Sequence, residues 1–90
     1  MKQKHKKTID RAIESINWNK VADMYKKTNW TWYLMDQTPT EEELKDSART
    51  LAQRAIKEKL RFISTGGITI IWEKKRNFMQ IFVGYSGDNK

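Results

Sequence analysis

Residues 38–67, TPTEEELKDSARTLAQRAIKEKLRFISTGG, decide how this chain folds. Thr38 followed by Pro39, with Glu41 three residues after the threonine, has the form of a capping box with proline at the first helical position. Thr40 with Glu43 offers the same box in a later register. Glu41, Glu42 and Glu43 then meet the positive end of the helix dipole. Leu44, Ala48, Leu51, Ala52, Ala55, Ile56, Leu60 and Ile63 recur at helical spacing, so the stretch predicts a long helix from Thr38 to about Phe62 with one apolar stripe. Ser64-Thr65-Gly66-Gly67 reads as its C-terminal stop.

Downstream, Ile68 to Glu73 and Phe78 to Tyr85 are rich in β-branched and aromatic residues. Lys74-Lys75-Arg76-Asn77 between them has hairpin length. Upstream, Thr28 to Met35 alternates, with Trp30, Trp32 and Leu34 on one side and Thr31, Tyr33 and Met35 on the other, which predicts a further strand. Ile9, Ala12, Ile13 and Ile16, then Trp18, Val21, Ala22, Met24 and Tyr25, predict helix over about 8–27. The stripe breaks near Asn17, with Asn19 as the cap of the second half. The order implies an α+β fold: an N-terminal helical segment, then β-α-β-β with one long helix packed on a small three-stranded sheet. In that sheet the first strand joins in parallel through a right-handed crossover. Residues 1–7 read as a disordered basic leader, 8–85 as one domain and 86–90 as a polar tail.

Ninety residues leave room for one small domain, and the absence of cysteine removes disulfides as staples. Ten aromatic residues compensate with large burial per side chain. No apolar run reaches the length of a membrane span or a signal peptide, so a cytoplasmic protein with no membrane partner is expected. Lys and Arg number 18 against 11 Asp and Glu, a net charge of +7. That charge is uneven: the acidic helix start lowers it locally, and the remaining segments are all basic. Anionic partners are favoured.

Catalysis finds little support, because nucleophilic and general-base chemistry draws mainly on Cys and His, and the single histidine, His5, falls in the leader. Consecutive Glu41, Glu42 and Glu43 point about 100° apart on a helix and cannot converge on one metal. Neither metal nor cofactor is expected. Arg54, Lys57 and Arg61 fall at i, i+3 and i+7 as a cationic ridge flanked by Arg49, and Lys74, Lys75 and Arg76 form a second cluster at the turn. These seven are candidate phosphate contacts, although a solvated helix face and a charge-protected turn explain the same pattern. Trp32, Tyr33 and Trp72 are candidate stacking residues if exposed beside the cations; core packing is the competing role. Thr65, Gly66 and Gly67 form a candidate anion-binding loop, although no phosphate-loop motif surrounds them.

Asn29-Trp30-Thr31-Trp32, then Pro39-Thr40-Glu41-Glu42-Glu43-Leu44, then Ala48, Leu51, Ala55 and Ser64-Thr65-Gly66-Gly67-Ile68, resemble small accessory proteins of tailed bacteriophages and prophages. Those proteins share a paired-Trp segment, a Pro-initiated acidic helix and a Gly-Gly entry to a terminal hairpin. The likeness covers roughly residues 18 to 85. It implies a phage accessory role in the bacterial cytoplasm, toward nucleic acid, a nucleotide or a host defence protein, and it assigns no site residue. The expected function is therefore non-enzymatic binding of an anionic, base-containing ligand, nucleic acid or a nucleotide signal. The alternative is a protein-interaction module that inhibits a host defence enzyme or works as a homo-oligomer.

Overall fold

The computed structural model describes residues 3–28 and 38–84, with side chains from residue 5 onward. Three helices precede three strands: α1 (Gln3–Glu14), α2 (Trp18–Thr28), α3 (Glu41–Lys57), β1 (Phe62–Thr65), β2 (Ile68–Glu73) and β3 (Phe78–Val83). The α+β class holds. The strand expected over Thr28 to Met35 lies outside the described residues except for Thr28, which ends α2.

α1 begins within the basic stretch read as a disordered leader. The helix persists there because Lys6 pairs with Asp10 one turn on, at 3.3 Å, and because the His5 ring packs edge-on to Trp72, 5.5 Å between centroids. Thr8, Ile9, Ala12 and Ile13 form its buried side. The break after Ser15 falls where expected, but Asn17 rather than Asn19 caps α2. The Asn17 Oδ1 accepts the Lys20 N–H at 3.2 Å, and its carbonyl accepts the Val21 N–H. This register places Trp18, Ala22 and Tyr25 on one buried face, and the Trp18 indole N–H donates to the Ile13 carbonyl at 2.8 Å, closing the end of α1.

α3 takes the later of the two capping registers. The Thr40 hydroxyl accepts the Glu43 N–H at 3.1 Å and the Glu43 carboxylate accepts the Thr40 N–H at 2.8 Å. Pro39 is buried just ahead of the cap. The helix ends at Lys57, not near Phe62. Lys59 adopts φ 57°, its N–H donates to the Ile56 carbonyl, and the Leu60 N–H reaches back to the Ala55 carbonyl at 2.8 Å. This is a Schellman closure with lysine where glycine is usual.

The chain released there forms β1. Gly66 and Gly67, at φ 60° and 84°, are the two-residue turn of a β1–β2 hairpin and not a helix stop. Both central residues of a type I′ turn require positive φ, which glycine adopts without strain. The sheet is consequently an antiparallel meander, β1-β2-β3, with no parallel pair among the described strands. α1 lies over β3 and α3 over β2 and β1, while α2 packs on α3. The helices close on one face of the sheet, whose Ile68, Ile70, Trp72, Met79 and Ile81 join Ile9, Leu44, Leu51 and Ala55 in a single core. Among the described residues no helix is long and apolar enough to cross a membrane.

Candidate functional site

Because side chains alternate across a strand, the register fixes what lies on the sheet's other face. Phe62 stands opposite Ile71 and Ile71 opposite Gln80; Ser64 opposite Thr69 and Thr69 opposite Phe82; Glu73 opposite Phe78. Among them, Phe78 and Gln80 border a recess shared with Thr8, Arg11 and Ala12 of α1 and with Ser15. Phe62 is 61% exposed, Phe82 49% and Phe78 41%. Three large apolar rings thus stand on one solvent-facing sheet surface.

One end of this surface carries positive charge. Arg61, immediately before β1, shares a recess with Glu73, Lys74, Lys75 and Arg76 of the β2–β3 turn. The two segments meet because the β1–β2 ladder extends one step past Phe62, the Trp72 N–H donating to the Arg61 carbonyl at 3.0 Å. The turn itself is closed by the Asn77 N–H on the Lys74 carbonyl. It is anchored to α1 where the Thr8 hydroxyl donates to the Asn77 side-chain oxygen at 3.1 Å. Arg76 bonds Glu73 at 2.9 Å and lies 5.2 Å above the Phe78 ring, so the cationic rim and the aromatic face touch at that residue. Arg61, Lys74 and Lys75 are exposed and enter no ion pair among the described residues.

The other candidates separate into different roles. Arg49 holds Asp10 across α1 and α3 at 2.6 Å, and that guanidinium bond, more than Lys6, keeps the Asp10 carboxyl below the usual range. Arg54 pairs with Glu58 at 3.1 Å. Lys57 is exposed at the last turn of α3. With the helix closed at Lys57, Arg61 is not on it, so the expected ridge of Arg54, Lys57 and Arg61 does not form and Arg61 joins the turn cluster instead. Trp72, expected as a stacking residue, is 3% exposed and belongs to the core, since its strand position faces the helices. Trp32 and Tyr33 lie outside the described residues. Thr65 ends β1, and at Gly66 and Gly67 the carbonyls accept the Tyr25 hydroxyl at 3.1 Å and the Gly84 N–H at 2.9 Å, as a tied-down turn. Glu41 pairs with Lys45, and Glu43 is spent in the cap.

Of the rings that the sequence offers as an aromatic platform, Trp72 is in the core, while Phe62, Phe78 and Phe82 are exposed. Phe62 was hidden inside the helix reading. Phe78-Met79-Gln80-Ile81-Phe82-Val83 is apolar at both parities, so the pattern alone does not say which side is out; the match of Met79 and Ile81 to the core-facing Trp72 and Ile70 decides it. No protein-family model, curated protein or solved structure matches this chain.

Proposed function

We propose that this chain is a non-enzymatic nucleic-acid-binding protein that uses the open face of its sheet, with bases against Phe62, Phe78 and Phe82 and phosphates on Arg61, Lys74, Lys75 and Arg76. The observation that supports it is the contact between the two halves of the surface, an exposed aromatic face and a cationic rim meeting at Arg76 and Phe78. Stacking a base on an aromatic ring contributes about 1–3 kcal/mol, and lysine and arginine along a groove hold the backbone. In the phage setting that the resemblance implies, such a protein acts by sequestering its ligand. A protein partner or a second copy would also use the three phenylalanines, but a positive rim on a chain of net charge +7 favours a polyanion over a like-charged copy.

The test is a fluorescence-anisotropy titration of a labelled oligonucleotide over a series of salt concentrations. Four rim cations predict a log–log slope of about −3 for a single strand, and Lys74→Ala or Lys75→Ala should each flatten it by about 0.7. Binding that ignores salt, or none at low salt, refutes the reading. A partner captured from nuclease-treated lysate by the wild type and not by Phe62→Ala would then establish the protein-interaction alternative.

A further inference from the structure

We infer that the ligand of this face is a single strand, with its bases splayed onto Phe62, Phe78 and Phe82 and one base edge read by the Gln80 amide. This rests on the nucleic-acid reading above and narrows it to strandedness, site length and a specificity residue. Phe78 and Phe82 are four residues apart on β3, a separation of about 13 Å. Phe62 sits two strands away, level with Gln80, which puts it about 12 Å from each of them. Nucleotides in a stacked strand advance by about 3.4 Å. Rings so far apart cannot sandwich one base; they engage three bases of one chain, with intervening nucleotides bridging the gaps.

A duplex fits poorly for a separate reason. Its bases already cover one another's faces, so a sheet laid in the major groove would meet only their edges. The sheet, about 10 Å across, matches that groove of about 12 Å in width, but Phe62, Ile71, Phe78 and Phe82 would strip water from edge donors and acceptors and return no hydrogen bonds. An apolar face of this kind suits bases already out of the stack.

Polar groups on the face narrow the choice of reader. The Ser64 and Thr69 hydroxyls bond each other at 2.8 Å, and Glu73 is held by Arg76. Gln80 is exposed between Phe78 and Phe82, and its amide makes no side-chain hydrogen bond among the described residues. An amide presents a donor and an acceptor side by side, the complement of adenine N6 and N7.

The experiment titrates the full chain, at one low salt concentration, with labelled oligo(dA) and oligo(dT) from a mononucleotide up to about sixteen nucleotides, and with a duplex of the longest length. Affinity should climb with length, level off beyond about eight nucleotides, and be at least tenfold weaker for the duplex. Phe62→Ala and Phe82→Ala should each weaken single-strand binding on the order of tenfold or more. Both variants replace exposed side chains, and circular dichroism verifies that they fold. Gln80→Leu should lower oligo(dA) binding to the level of oligo(dT) and so erase a preference for oligo(dA). A duplex bound as tightly as the strand, a mononucleotide bound as tightly as the longest oligomer, phenylalanine variants without effect, or a base preference that survives Gln80→Leu would overturn this inference and leave the broader nucleic-acid reading standing. No binding of any of these ligands would overturn both.

Discussion

Lys59 occupies φ 57°, a region that costs a residue with a Cβ roughly 1–2 kcal/mol. The backbone accepts that cost because the turn it makes closes α3 and lets Leu60 fold back toward the core. Lys59→Gly should relieve the strain and, after the added freedom of glycine in the unfolded chain, raise stability by about 0.5 kcal/mol, read as a higher urea midpoint. Lys59→Val should lower it by more than about 1 kcal/mol. A destabilising glycine would contradict the left-handed closure. Tyr25 offers a second residue-level test. Burial pushes its phenol up to about 12, so the unfolded chain ionises first as pH rises above 10. The folded state then holds more protons than the unfolded one, and stability falls with pH between about 10 and 12, by roughly 2 kcal/mol. Tyr25→Phe should lose the hydrogen bond to Gly66 at neutral pH yet show a shallower alkaline decline in denaturation midpoint.

At the scale of elements, α1 is attached to α3 by Asp10 and Arg49 and to the sheet by Thr8 and Asn77. The Asp10 carboxyl is depressed mainly by the Arg49 bond, so the link stabilises the fold above the ordinary aspartate range and is lost as pH falls through the depressed value. Asp10→Asn should therefore unfold over an acid range with a flatter pH dependence than the wild type, and an unchanged acid limb would contradict the link. The elements that the sequence made legible are those with a local chemical signal. The Thr40–Glu43 box, the Lys74–Asn77 turn and the break at Asn17 each depend on neighbours within a few residues. The end of α3 was not legible, because Leu60 and Ile63 continue the helical stripe and no glycine marks position 59. That continuation conceals β1, makes Gly66-Gly67 read as a helix stop rather than a hairpin turn, and assigns Phe62 and Arg61 to the helix. Lys74, Lys75 and Arg76 sit where the sequence places them, in the turn between two strands with a local signal. Which rings are exposed has no such local signal, since exposure of Phe82 rather than Trp72 is settled by which face the helices cover.

For the whole molecule, a 90-residue domain has a net stability of about 5–13 kcal/mol, so where its large side chains are placed decides whether they serve the fold or a ligand. Trp72, 3% exposed and packed under His5, lies on the side of β2 that the helices close. Truncation there leaves a cavity and costs about 3–5 kcal/mol, a large part of the total. Phe62, 61% exposed, rests on the opposite side of the sheet. Its truncation removes little burial and should shift stability by no more than about 0.5 kcal/mol. The two substitutions should thus dissociate in opposite ways. Trp72→Ala should lower the thermal midpoint strongly and lose ligand binding only in proportion to the unfolded fraction. Phe62→Ala should leave the midpoint nearly unchanged while weakening oligonucleotide binding on the order of tenfold or more. Thermal denaturation followed by circular dichroism, set beside the anisotropy titration, reads both quantities on the same samples. If Phe62→Ala melted as early as Trp72→Ala, the outer sheet face would belong to the core, and the surface would have to be sought on the helical side.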